Sequence, residues 1–169
     1  MLLIDAAKLL IFPTVMAFAA SSDLFTMTIS NRISLILISG FFALALATGM
    51  PVVEIANHLG AAGLILVLGF VFFSRGWVGG GDAKLAAATA LWFGWAHLFD
   101  YLLYASLLGG LLTLALLEFR KLTMPAPLIG KEWAERLHRR GGGVPYGIAL
   151  AVAALVVYPS TTWMQTLGH

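Results

Sequence analysis

The sequence predicts an all-α polytopic membrane protein with six transmembrane helices. Of its 169 residues, 60% are hydrophobic and 11% are charged, whereas soluble domains have roughly 45–50% and about 25%. A soluble chain of this length could not bury so much apolar surface, because small domains keep much of their area in contact with water. Six segments also approach the roughly 20 apolar residues that a membrane-spanning helix needs. We therefore interpret residues 1–169 as a single membrane-embedded domain.

The six apolar segments follow one another along the chain. They run approximately over residues 2–20, 33–50, 55–73, 85–99, 101–117 and 144–160. The first is expected to be a retained helix and not a cleaved signal, because Asp5 precedes Lys8 and the usual basic start is missing. The fourth segment is short unless Asp82 and Lys84 form its first turn, which we expect. No internal repeat of the kind found in many transporters is visible.

The basic residues predict how the chain is oriented. With six spans, three loops lie on one side of the membrane, at about residues 21–32, 74–84 and 118–143. These loops hold nine of the ten basic residues, namely Arg32, Arg75, Lys84, Arg120, Lys121, Lys131, Arg136, Arg139 and Arg140. Cytoplasmic loops carry an excess of Lys and Arg. The three loops are therefore predicted to be cytoplasmic and both chain ends to lie outside.

Several classes of function are excluded or disfavoured by composition. The chain has no cysteine, which excludes disulfides, thiolate nucleophiles and thiolate metal sites. Its net charge of +2 is too small to favour a nucleic-acid partner. His58 and His97 fall near the predicted outer boundary, where we interpret them as solvated or interfacial, and we expect neither a metal site nor a cofactor. The segment 131–140 is predicted to form a short helix on the membrane surface.

Two aspartates stand out in this apolar chain. Asp82 follows Gly79-Gly80-Gly81, and Asp23 ends the first apolar segment. Charges in or beside hydrocarbon are costly, so such acids are functional-site candidates. Glycines let a substrate backbone approach closely, and a helix N-terminus favours a carboxylate. The residues alone leave open that each aspartate is a helix cap, or that Asp23 is paired with Arg32.

A pair of carboxylates suits the hydrolysis of a peptide bond. When two carboxyl groups share a proton, the ionised group removes a proton from water while the neutral group donates to the scissile carbonyl. Asp23 and Asp82 both fall at predicted cytoplasmic helix ends. Packing of the first helix beside the fourth would bring them together.

Three motifs resemble those of the type IV prepilin peptidases. Gly79-Gly80-Gly81-Asp82-Ala83-Lys84 matches the G-x-G-D-x-K form of these G-x-G-D intramembrane aspartyl peptidases. Asp23 is followed at the family's spacing by Asn31, although Ser30 stands where proline is usual. Pro145-Tyr146-Gly147 resembles the Pro-Phe/Tyr-Gly stretch that opens the last helix. The resemblance implies that Asp23 and Asp82 are catalytic and that Gly79, Gly81, Lys84, Asn31, Pro145 and Gly147 support them.

The resemblance also implies a substrate and a location. Larger relatives carry Cys-x-x-C motifs and methylate the new pilin terminus. This cysteine-free chain instead resembles the short branch that serves tight-adherence (Flp-type) pili. No methyltransferase segment is therefore expected. The implied activity removes the short basic leader of a prepilin or pseudopilin at the cytoplasmic face of a bacterial inner (plasma) membrane. Substrate helices and membrane lipid are the implied partners.

Two other functions fit the residues. The first is a small ion or solute transporter that uses Asp23 and Asp82 as a cation or proton site, which predicts acids at mid-membrane and internal symmetry. The second is a catalytically silent subunit of a membrane assembly, in which replacing either acid would disturb expression or association and no reaction would be lost.

Overall fold

Helices form almost all of the regular structure in residues 2–167, the part of the chain that the computed structural model describes. The predicted positions of the chain ends at Met1 and His169 lie outside the described residues. No strand occurs within residues 2–167, so the predicted all-α class is confirmed. The helices are α1 Leu2–Thr26, α2 Asn31–Ala47, α3 Val52–Ser74, α4 Gly80–Phe119, α5 Glu132–His138, α6 Tyr146–Val157 and α7 Thr162–Gln165, with 3-10 turns at Ala126–Leu128 and Tyr158–Ser160.

The longest helices have the dimensions of membrane spans. α1, α3 and α4 are each long and apolar enough to cross a bilayer, while α2 and Tyr146–Ser160 are shorter apolar helices. The protein is therefore a membrane protein, and the count of six crossings stays a prediction. α5 forms where the surface helix was predicted, and its Trp133 ring lies 5.8 Å from that of Phe25 at the end of α1.

Glycines end α2 and α3 in the same way. Gly49 has a φ of 67° and Gly76 a φ of 72°, a conformation that glycine adopts without steric cost. In each case the next residue donates its N–H to a carbonyl five positions back: Met50 to Ala45 and Trp77 to Phe72. This Schellman arrangement satisfies helix carbonyls that would otherwise lack partners.

The helix α4 reverses direction at Gly94. A straight helix of 40 residues would be about 60 Å long, yet both ends of α4 reach the segment around Gly142. Gly94 has a φ of 57° and a ψ of −166°, and the rings of Phe93 and Tyr101 lie 5.3 Å apart across the turn. We call residues 80–93 the first arm and residues 95–119 the second arm. The predicted boundary near Asp100 was therefore placed six residues too late.

Side chains from elsewhere in the chain stabilise this reversal. Breaking a helix leaves its last carbonyls without intrahelical partners. The Nδ1–H of His58 donates to the Leu91 carbonyl oxygen at 2.7 Å, and the Nε1–H of Trp163 donates to the Trp92 carbonyl oxygen at 2.9 Å. His58 is only 7% exposed. Its interpretation as a solvated or interfacial histidine was wrong, because the freed Leu91 carbonyl gives the ring a buried partner.

Replacing Gly94 with alanine is expected to destabilise the fold. The backbone angles at Gly94 belong to a region that is essentially restricted to glycine and costs other residues about 1–3 kcal/mol. A new Cβ would also lie 3.1–3.2 Å from three atoms of the His58 ring. Thermal unfolding in detergent should show a lower midpoint for Gly94→Ala than for Gly49→Ala, since Gly49 has a positive φ but open space around it. Equal midpoints would contradict the role of the His58 contact.

The core lies where α1, α2, α4 and α6 meet. The Phe12 ring of α1 packs 5.0 Å from Trp92 of α4 and 4.4 Å from Tyr158, measured between ring centroids. The Trp92 Nε1–H donates to the Leu37 carbonyl oxygen of α2 at 3.0 Å, and the Tyr158 hydroxyl donates to the Lys8 carbonyl oxygen at 2.7 Å. These bonds satisfy the polar ends of two large buried rings; they join α4 to α2 and the turn after α6 to α1.

Candidate active site

Asp23 and Asp82 line the same cavity, which has a volume of about 520 Å³. Asp23 lies in the last turns of α1 and is 5% exposed, and Asp82 lies in the first turn of α4. The cavity is also lined by the turn between α3 and α4 and by side chains and backbone within residues 136–146. The fold thus brings together two carboxyl groups that belong to different helices.

A backbone amide holds the Asp23 side chain. The Gly147 N–H donates to Asp23 Oδ2 at 2.7 Å, joining residues 124 positions apart. A Cβ on Gly147 would lie 2.8 Å from this oxygen and 2.5 Å from Ile29 Cδ1, so any other residue here would displace the Asp23 carboxyl group or Ile29. Within residues 2–167 Asp23 makes no ion pair with Arg32. Its carboxylate instead accepts from the N–H of the second residue of α6, the kind of bond that an N-cap side chain makes. Asp23 thus holds the start of α6 and lines the cavity at the same time.

The predicted glycine motif shapes the surroundings of Asp82. Gly79 is the N-cap residue of α4, so Asp82 is the third helical residue and not the cap. A Cβ on Gly79 would lie 2.8 Å from Asp82 Oδ2, and a Cβ on Gly81 would lie 3.0 Å from Ile29 Cβ. Gly79 therefore leaves room for the carboxyl group, and Gly81 lets the loop before α2 approach α4 closely.

The remaining predicted support residues border this arrangement. Lys84 Nζ donates to Asn31 Oδ1 at 2.9 Å and so links the start of α4 to the start of α2. Ser30 caps α2 by accepting from the Arg32 N–H at 3.3 Å, and its φ of −66° is one that proline also adopts. Pro145 is buried at the N-terminus of α6, two residues before Gly147.

Four residues at the site were not among the predicted ones. Ile29 wedges between Gly81 and Gly147, and Arg136 and Arg139 line the cavity with the two aspartates. Arg120, interpreted from the sequence only as a cytoplasmic loop charge, is 8% exposed at the end of α4. A basic residue among loop charges gives no sequence signal that distinguishes a buried role from a solvated one.

Arg120 fixes the part of the cavity wall that Gly142 and Gly143 form. Its Nε donates to the Leu137 carbonyl oxygen at 2.7 Å, Nη1 to that of Gly142 at 3.0 Å and Nη2 to that of Gly143 at 2.7 Å. Leu137 is in the last turn of α5, where a cation is favoured by the helix dipole. One guanidinium group therefore holds α5 and the following glycines against α4.

Replacing Arg120 with glutamine is expected to release this wall. Hydrogen bonds from a charged donor contribute about 1.5–3 kcal/mol each, and the shorter amide cannot reach three carbonyls. Chymotrypsin should therefore cleave residues 121–143 faster in Arg120→Gln than in the parent protein in detergent. Lys121→Gln is the matched control, because Lys121 is exposed and, within residues 2–167, paired only with Glu118 at 2.6 Å. Equal cleavage rates in the two variants would contradict the role given to Arg120.

The described residues offer little for a metal ion. Within residues 2–167 no group of three or more His, Asp or Glu side chains is close enough to hold one. The cavity instead presents two carboxyl groups, which can exchange protons with water, and two guanidinium groups, which can bind a polar peptide.

Comparison with known families decides between the candidate functions. The sequence profile of the type IV leader peptidase family matches residues 10–114, a range that includes Asp23, Asn31, the glycine motif and Lys84. The chain belongs to this family. Comparisons with curated proteins and with solved structures found no match.

Family membership makes this leader peptidase homologue a membrane peptidase and implies prepilins as its substrates. Family membership therefore favours a peptidase over a transporter or a catalytically silent assembly subunit. The matched range ends before Arg120 and Gly147. The contacts of those two residues with the site are therefore features of this structure, independent of the profile.

Proposed function

We propose that the protein is an aspartyl endopeptidase that removes the basic leader of Flp-type prepilins, with Asp23 and Asp82 as its catalytic pair. The observation that carries the proposal is the shared cavity, into which two different helices bring these carboxyl groups. A helix cap or an isolated surface charge would not need a partner of the same charge beside it.

The reaction needs one ionised and one protonated carboxyl group. The ionised aspartate removes a proton from a water molecule, whose oxygen then attacks the scissile carbonyl carbon. The protonated aspartate donates its proton to the carbonyl oxygen, giving a tetrahedral intermediate. When the carbon–nitrogen bond breaks, the aspartate that took the proton from water donates it to the leaving amine. The other aspartate takes a proton back from a hydroxyl of the intermediate as it collapses to the carboxylic acid, so the two carboxyl groups again share one proton.

The surroundings support a polar peptide as the substrate. Gly79 leaves room for the Asp82 carboxyl group, and Arg136 and Arg139 line the same cavity. The Gly147 N–H keeps Asp23 oriented without using a side chain that would fill the cavity. The positive-inside bias supports a cytoplasmic cavity, where the leader of an inserted precursor would lie.

The test is leader removal from a co-expressed Flp-type precursor. Membranes that contain both proteins should yield a pilin whose N-terminal mass corresponds to the chain after the leader, whereas membranes with precursor alone should yield the full mass. Precursors of several pilins should be offered, each with a glycine at the end of its leader. Failure to shorten any of them, with the protein present in the membrane, would contradict the proposed activity.

A further inference from the structure

We propose that residues 131–140, which we call the flap, move away from the cavity to admit the precursor to Asp23, an inference that rests on the proposed function. The flap contains α5 and lies in the connection between α4 and α6. Its Arg136 and Arg139 line the cavity together with Asp23 and Asp82. The flap is therefore one wall of the candidate active site, and it belongs to neither of the helices that carry the aspartates.

A glycine with a left-handed backbone conformation stands at each end of the flap. Gly130 has a φ of 81° and Gly141 a φ of 78°, values that glycine adopts without steric cost. A Cβ at either position would meet no atom within 4 Å, so both have open space beside them. Segments that open and close over a site turn about a few residues at their ends. The two glycines are the positions at which the flap can turn.

The flap packs lightly on the rest of the protein. α5 has seven residues, too few for a helix that is stable by itself, and its contacts with α1 and α4 are sparse. Two of its side chains are buried, namely Ala134 and Leu137. The Trp133 ring contacts Phe25 of α1 edge-on. The His138 ring contacts Phe119 of α4 in the same way. Because so little surface is buried, the flap can separate while the long helices stay folded.

Arg120 holds the flap closed through a single hydrogen bond. Within residues 2–167, the bond from Arg120 Nε to the Leu137 carbonyl oxygen is the only one that joins the flap to another helix. The other two bonds of this guanidinium group go to Gly142 and Gly143, which lie beyond Gly141. They fix the chain at the base of the flap. The flap can therefore open by losing one bond while its base remains attached to α4.

Asp23 needs such an opening in order to act. A catalytic carboxyl group must contact water and the scissile bond, yet Asp23 is only 5% exposed although it lines the cavity. The scissile bond of a precursor lies inside its chain, so the chain must also leave the cavity in two directions. Moving α1 or α4 would separate Asp23 from Asp82. Turning the flap about its two glycines would leave both aspartates in place.

The opening can be measured without a substrate. The thiol of Asp23→Cys is the only one in that variant, because the chain has no cysteine, and a water-soluble maleimide labels it only when solvent reaches it. Adding Arg120→Gln should raise the labelling rate about tenfold or more, since the charged hydrogen bond to the flap is lost. Lys121→Gln in the same Asp23→Cys background is the control and should leave the rate unchanged. Equal labelling rates in the two double variants would overturn the proposal.

Holding the flap closed should stop cleavage of the precursor. Phe25→Cys with Trp133→Cys places one thiol on each side of the contact between α1 and the flap, and a short bis-methanethiosulfonate links the two through disulfides. The linked protein should lose leader removal, and dithiothreitol should restore it. The control pair is Thr48→Cys with Thr162→Cys, because both residues line a different cavity, at the start of α1. Linking the control pair should leave the rate of leader removal unchanged.

The outcomes distinguish the flap from the proposed function. An unchanged rate of leader removal in the linked Phe25→Cys, Trp133→Cys protein would show that the precursor reaches Asp23 past a closed flap, which overturns the proposal. A loss that persists after reduction would also contradict it, because closure would not be the cause. If the parent protein shortens no precursor, the proposed function fails, and the labelling rates of the Asp23→Cys variants still decide whether the flap opens.

Discussion

Asp82→Asn is expected to abolish leader removal, with a loss of roughly 100- to 10,000-fold, the range that a positioned general acid or base contributes. Asn has nearly the shape of Asp but can neither take a proton from water nor donate a carboxylic proton. Asp23→Asn should have the same effect, and its amide oxygen can still accept from the Gly147 N–H, so the fold should persist. The measurement is the rate of N-terminal mass change of the precursor in membranes.

The control for both variants is Asp100→Asn. Asp100 is an exposed acid on α4 and does not line the cavity, so its replacement should leave the rate unchanged. All three variants must reach the membrane at similar levels. Cleavage near the parent rate in either Asp23→Asn or Asp82→Asn would remove that aspartate from the catalytic pair.

Gly147→Ala is expected to lower the rate of leader removal by about 100-fold, the second large effect that we expect. A misplacement of about 1 Å in a reacting group can cost this much. The new methyl group would lie 2.8 Å from Asp23 Oδ2 and 2.5 Å from Ile29 Cδ1. Both distances are shorter than real Cβ contacts, so the Asp23 carboxyl group and the Ile29 side chain would both have to shift. The loss should appear in kcat as well as in kcat/KM for the precursor.

The same substitution elsewhere provides the comparison. Gly110→Ala introduces a methyl group into α4 where no atom lies within 4 Å, and it should retain the parent rate. If Gly147→Ala cleaved the precursor as fast as Gly110→Ala, the orientation of Asp23 by α6 would have no catalytic importance. Thermal unfolding of both variants in detergent would show how much of any loss is due to unfolding.

Sequence reasoning identified the features that depend on composition and local pattern. An acid in an apolar chain is visible from the residues alone, which is why Asp23 and Asp82 could be selected. The all-α class and the short helix around Trp133 followed from the lengths and spacing of apolar residues. The choice of the two acids, the all-α class and the short helix each depend on residues that are close together in the sequence.

Features that depend on distant partners were missed. Hydropathy favoured a break near Asp100, but α4 reverses at Gly94 because His58 and Trp163 satisfy the carbonyls that the break exposes. Arg120 resembles any loop charge until residues 137–143 fold over it. The contact between Gly147 and Asp23 spans 124 positions, and nothing in either local sequence specifies it.

The reversal at Gly94 also affects the surrounding bilayer. The first arm of α4 has 14 residues and is therefore about 21 Å long, whereas the hydrocarbon core is roughly 30 Å thick. An arm this short cannot reach across at normal thickness, and most of it is buried among the other helices, so other parts of the protein or water must fill the remaining depth. Asp82, at the start of this arm, would then contact water while it remains inside the protein. A hydrolytic reaction next to lipid needs such a supply of water, and a shortened helix provides it by geometry alone.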